Sequence, residues 1–227
     1  MKIRIPALVA LIGCALPSMA AAETETGYYT TLRVIDAHHQ ARNMDASARP
    51  GIGQFVAGDQ RQHFATGSLA FGQIHGNGWR SEAEYVARRN DTYTSGSSIF
   101  ASSFNNHEVR SQRLMLNVYR DIALNATWSL YGTAGAGLSH IQSGGWQGNE
   151  GRQYAKATRT GLAWSLGAGI SVAASDALSV DLGYRYADLG STESGWNTFS
   201  NARGLQDERM KLDLVSREVT LGLRYVF

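Results

Sequence analysis

The segment from Val219 to Phe227 constrains the chain more than any other. Val219, Leu221, Leu223, Tyr225 and Phe227 share one parity, and Thr220, Gly222 and Arg224, with Glu218 just upstream, share the other. In an extended strand these two sets point to opposite faces. A soluble sheet can alternate in this way, but an apolar face running out to an aromatic end is poorly placed in water, where terminal residues fray. In a bilayer the pattern has a direct physical meaning. The apolar face meets hydrocarbon, the aromatics sit at the interface and the polar face lines a lumen.

The opposite end fits the same setting. Met1-Lys2-Ile3-Arg4 is a short basic region, the apolar run Ile5 to Leu16 is too short to span as a helix, and Ala20-Ala21-Ala22 precedes Glu23. That is the layout of a secretory signal, so residues 1–22 are read as a signal peptide and 23–227 as an outer-membrane β-barrel domain. Leu11-Ile12-Gly13-Cys14 resembles a lipoprotein cleavage box, but apolar residues continue beyond it. Cys14 is the only cysteine, so the processed chain would have neither disulfide nor thiolate chemistry. Beyond residue 22 no apolar stretch approaches the ~20 residues of a membrane helix, and a spanning chain of this kind must therefore be a barrel. Removing Lys2 and Arg4 with the leader balances the remaining basic and acidic residues, which argues against nucleic acid as a partner. Pro6 and Pro17 fall in the leader and Pro50 in a loop, leaving the strands free of proline.

The same period-two pattern marks seven more strands, at about 27–37, 63–72, 79–88, 110–120, 128–139, 161–172 and 178–187. Short connections at 73–78, 121–127 and 174–177 alternate with long ones at about 38–62, 89–109, 140–160 and 188–216. The expected fold is all-β: a transmembrane eight-stranded antiparallel up-and-down β-barrel with four long extracellular loops and periplasmic termini. A secreted soluble barrel or sandwich is the alternative.

Three stretches carry a family likeness: Trp79-Arg80-Ser81-Glu82-Ala83-Glu84-Tyr85, Ala163-Trp164-Ser165-Leu166-Gly167-Ala168-Gly169-Ile170-Ser171, and Leu178-Ser179-Val180-Asp181-Leu182-Gly183-Tyr184-Arg185-Tyr186-Ala187-Asp188-Leu189-Gly190. With the terminal Tyr225-Val226-Phe227, they resemble the opacity-type branch of outer-membrane barrels, a group that includes Tia/Hek-like invasins and is related to the OmpA transmembrane domain. The resemblance covers the strands and not the long loops. It implies eight strands, surface exposure, adhesion to host glycans or receptors in several members, and recognition by the barrel-assembly machinery of a terminal signal, here Val219, Leu221, Leu223, Tyr225 and Phe227.

Inward parity collects Arg33, Arg80, Glu82, Glu84, Arg88, Arg113, Asp181, Arg185, Glu218 and Arg224. An eight-stranded lumen is just wide enough for side chains to fill, so these charges are expected to pair as a structural plug. Inward glycines such as Gly135, Gly169, Gly183 and Gly222 should leave room for arginines from facing strands. A gate with exchanging pairs is the sharper alternative.

Chemistry is sparse. Asp36, His38 and His39 near the outer rim, or Ser139-His140, are loose acid–base candidates, but neither spacing demands nucleophilic catalysis. No catalytic residue, cofactor or metal is assigned: adjacent His38 and His39 point to opposite faces, and the acidic loop residues match no calcium loop.

The loops carry more signal. Arg42, Arg49, Arg61, Arg152 and Lys156 make loops one and three slightly basic, and Phe100, Phe104, Trp146 and Trp196, with Tyr93, Tyr154 and Phe199, supply aromatic anchors. The reading is a surface adhesin or invasin contacting host heparan sulfate or a receptor through Arg42, Arg49, Arg61, Phe100, Phe104, Trp146, Arg152, Lys156 and Trp196. Outer-membrane lipid and lipopolysaccharide are its other partners. A passive structural barrel and a lipid-modifying enzyme are the alternatives.

Overall fold

A sheet that crosses a membrane must satisfy its edge hydrogen bonds, and closing on itself does so. In the computed structural model, which describes residues 26–44, 54–100 and 104–227, β1 (Gly27–Arg42) and β9 (Lys211–Val226) make that closure, in antiparallel register from Tyr29 opposite Val226 to Arg42 opposite Asp213. Between them run β2 (Phe55–Ala57), β3 (Arg61–Gly76), β4 (Trp79–Ser97), β5 (Asn105–Ala123), β6 (Trp128–Gln147), β7 (Asn149–Ala173) and β8 (Leu178–Glu193). Apart from β2, which pairs only with the upper end of β4, each strand neighbours the next in an up-and-down meander, giving a closed eight-stranded antiparallel barrel. The expected eight strands are these. Residues 1–22 with Cys14, Arg49 and Pro50 lie outside the described residues.

Tight turns close the lower end. Gly76, Asn77 and Gly78 all hold positive φ (80°, 51° and 73°), the left-handed conformation that a two-residue hairpin turn between β3 and β4 requires. At the upper end much of each long connection is itself strand. β6 and β7 run on to a turn at Gly148, and β7 reaches 25 residues, more than twice the ~9–11 that cross a bilayer. The barrel wall therefore continues well above the membrane.

The strand pattern changes sign along this height. On β1 the outward residues begin Tyr28, Thr30, Leu32, Val34 and continue Asp36, His38, Gln40, Arg42, whereas the inward ones pass from Thr31 and Arg33 to Ile35, Ala37, His39 and Ala41. Alternation persists while inside and outside exchange polarity. Period-two reading finds the strands but stops at this inversion, which is why 38–62, 89–109, 140–160 and 188–216 read as loops.

Two aromatic belts mark the bilayer boundaries. Tyr28, Phe71, Trp79, Trp128, Tyr225 and Phe227 are exposed around the lower rim, with Tyr28 stacked on Phe71 at 5.9 Å. Tyr85, Trp164 and Tyr184 ring the upper rim, and Trp164 lies 5.6 Å from Tyr186. On β9 the outward run from Tyr225 up to Val219 is Tyr, Leu, Leu, Val, and the polar Arg217 follows.

Candidate functional site

The membrane-level lumen holds a two-tier network of ion pairs. In the upper tier Arg33 Nη2 donates to Glu82 Oε2 at 2.8 Å, and Arg33 Nη1 lies 3.3 Å from Glu84. Arg185 bridges Glu84 (2.6 Å) and Glu218 (2.9 Å from its Nε), and Arg113 Nη2 reaches both oxygens of Glu218 at 2.7 Å. Three guanidinium groups thus share three carboxylates, drawn from β1, β4, β5, β8 and β9. Asn117, Ser68 and Tyr119 fill remaining acceptor positions on Glu82 and Glu84. In the lower tier Arg80 donates to Asp121 at 2.7 Å and Arg224 to Asp181 at 3.2 Å, while Arg80 also lies over the Tyr119 ring at 4.0 Å. Each tier balances its charge, as burial away from water demands.

Nine of the ten expected lumen charges face inward and are buried; Arg88 does not. A register shift between Val86 and Arg89 interrupts the alternation of β4, leaving Arg88 exposed and donating to Gln142 at 3.5 Å. Asp121 falls in the turn expected at 121–127, but β5 runs on to Ala123, so Asp121 keeps the inward parity of Asn117 and Tyr119. The inward glycines mostly accommodate other groups than arginine. A Cβ at Gly169 or Gly183 would collide with the Tyr131 ring, and one at Gly135 with Asn117.

Above the network the interior turns apolar. Ile35, Ala37, Phe64 and Val86 form one cluster, followed by Ala41, Met44, Tyr93, Val109, Ile141, Leu189, Leu212 and Leu214. His39 enters this region and bonds Asp91 at 3.0 Å, and Tyr93 donates to the same carboxylate at 3.4 Å. Burial, reinforced by Asp91, pushes the Tyr93 phenol well above its ordinary range. Tyr93 and Tyr154, expected as loop anchors, are instead fully buried core residues. Asp91 is buried beside Tyr93.

The remaining loop candidates lie on the outside of this extension. Phe100 and Phe104 are exposed at the top of the β4–β5 hairpin, beside exposed Phe55, Val56 and Ile99. Trp196 is half-exposed with Arg209 over its ring at 3.9 Å, and Arg152 covers Phe199 at 4.1 Å while donating to Gln147 at 2.7 Å. Trp146 is partly buried at the end of β6, Lys156 and Arg61 are exposed, and Arg42 is half-buried near the Tyr186 hydroxyl. These residues surround the extension and do not converge on one pocket.

The acid–base candidates separate. Ser139 faces inward and donates to the Leu189 carbonyl at 2.6 Å, whereas His140 is exposed on the outer face beside Thr160. His39 likewise points inward and His38 outward. Asp36 and His38 instead meet His63 of β3, a partner that linear spacing does not reveal.

A membrane-spanning closed barrel with a lipid-facing belt and a neutralised lumen defines a bacterial outer-membrane protein. Residues 7–227 match the family described as outer membrane protein beta-barrel domain, and the chain belongs to it. Neisserial surface protein A shares 15% identity at a TM-score of 0.52, covering 90% of this chain and 100% of that one. OprG from Pseudomonas aeruginosa shares 11% identity at 0.54, covering 88% and 96% respectively. At these identities the likeness is one of fold. Among curated proteins, none matches the sequence.

Proposed function

We propose that the protein is a surface adhesin whose extended barrel carries a binding tip away from the membrane. One observation carries this reading: Ile99, Phe100 and Phe104 are 59%, 42% and 41% exposed beside Phe55 and Val56, at the end of the wall farthest from the lipid belt. Apolar side chains in the belt are explained by lipid; those at the tip are not, and clustered exposed apolar groups mark interaction surfaces. The arginines over Trp196 and Phe199, with Lys156 and Arg61, add positive charge suited to sulfated host glycans or an acidic receptor surface. Each contact is modest, and many copies on one cell supply avidity. Delivery to the membrane through the barrel-assembly machinery, with Val219, Leu221, Leu223, Tyr225 and Phe227 as signal, and contact with lipopolysaccharide at the upper rim, belong to the same proposal.

Bacteria displaying the protein should adhere to host cells and heparin-coated surfaces, with free heparin or high salt competing. Phe100→Ala/Phe104→Ala and Trp196→Ala should reduce adhesion while the barrel still assembles. Unchanged adhesion in both variants would favour a passive structural barrel.

A further inference from the structure

The structure assigns a second, chemically distinct feature to the outer wall: we propose that Asp36, His38 and His63 form a surface site for a divalent transition-metal ion of zinc, copper or nickel type. His38 of β1 stands directly opposite His63 of β3 in the ladder, and Asp36 lies on the same outward face one pleat below His38. Three donor-bearing side chains therefore occupy one patch of two hydrogen-bonded strands. β1 is also paired along its other edge to β9, so the backbone beneath the patch is fixed.

The donors are already close. His63 Nε2 lies 2.5 Å from Asp36 Oδ1, and His38 Nε2 lies 3.9 Å from Asp36 Oδ2. All three ligand atoms fall within 4.8 Å of one another, and the two imidazoles stack with centroids 4.2 Å apart and planes 18° from parallel. A zinc ion bound at ~2.0–2.2 Å to nitrogen and carboxylate oxygen needs its donors roughly 3–3.5 Å apart. The side chains are 59%, 50% and 59% exposed for His38, Asp36 and His63, so small rotations can bring them to that spacing without moving a strand.

The donor chemistry selects the ion class. Two imidazoles and one carboxylate suit zinc, copper and nickel, whereas calcium and magnesium favour all-oxygen sets. A hydrogen bond between Asp36 and His63 alone gives His38 no role. A shared ion would use both rings and the carboxylate. Three protein ligands leave an outward coordination position open. Arg217 of β9, exposed and opposite His38, weakens attraction for a bare cation and favours an anionic fourth ligand. The patch sits directly above lipid-facing Leu32 and Val34, at the level of the headgroups.

The test uses untagged full-length barrel in detergent micelles, titrated with zinc, copper(II) and nickel ions by calorimetry, and with cobalt(II) to read coordination from its visible spectrum. We expect one saturable site. His38→Ala, His63→Ala and Asp36→Asn should each weaken zinc binding at least about tenfold, since losing even a ligand's supporting partner costs ~10–100-fold. His75→Ala and His140→Ala, which alter other exposed histidines, should leave it unchanged, and heat-modifiable gel migration confirms that every variant folds. The proposal is overturned if none of the ions binds saturably, or if affinity in folded His38→Ala and His63→Ala equals that of the parent.

Discussion

Below Val34 on β1 the wall is apolar outside and charged inside; above it the same strand is polar outside and apolar inside. The lower region has lipid as its outer solvent, so hydrophobic burial cannot hold its interior, and ion pairs and tyrosines tie distant strands together. The upper region stands in water and is organised like a soluble barrel, with Tyr93, Ile141, Leu212 and Leu214 removed from solvent. Strand geometry is common to both halves. The medium on each side sets which parity is apolar.

The contrast can be broken most severely in the lower lumen. Glu218→Ala leaves Arg113 and Arg185 without a shared acceptor, and removal of one member of a buried pair typically costs about 3–5 kcal/mol. Urea unfolding in lipid vesicles, followed by gel migration, should show this loss. In the upper half Leu214→Ala or Ile141→Ala should cost about 2–5 kcal/mol by cavity formation. That loss should appear as faster hydrogen exchange and proteolysis of the extension while the membrane half keeps its gel shift.

The outer face gives the next contrast. Leu221→Arg, in the lipid belt, should destabilise by about 2–4 kcal/mol, whereas Gln40→Arg on the extension should stay within ~0.5 kcal/mol. Equal costs at the two heights would remove the inferred boundary. Charge-balanced tiers also predict little conductance in planar bilayers, and large, stable, nonselective channels would contradict the plug.

Tyr93 offers the smallest effect. Its folded pKa is raised, so the neutral phenol's contribution is fully present at neutral pH and declines as pH rises past the ordinary tyrosine value near 10. Tyr93→Phe should make hydrogen exchange in the extension less sensitive to alkali. Identical alkaline profiles would show that this phenol does not link pH to stability.

The membrane half was legible because lipid-facing Leu114, Leu116, Leu221 and Leu223 alternate cleanly with Arg113, Met115, Thr220 and Gly222. The lumen charges follow from parity alone, except that the β4 register shift turns Arg88 out and the turn expected at 121–127 covers Asp121. The upper wall was illegible under the same rule because Tyr93 and Leu212 are core residues of inverted parity. Tyr154 is buried through long-range packing, its hydroxyl donating to Asn105 of β5 and its backbone bridged to Asn197 of the β8–β9 connection. The Asp36–His38–His63 group was hidden for a related reason, since strand register and not spacing along the chain makes His63 a neighbour of His38.

Spin labels placed singly at Thr30, Leu32, Val34, Asp36 and Gln40, in protein with Cys14 absent, address the inversion most directly. Labels at 30, 32 and 34 should be relaxed by oxygen dissolved in lipid, and those at 36 and 40 by a water-soluble nickel chelate. Lipid-type relaxation continuing through Gln40, or chelate access beginning at Thr30, would contradict the account.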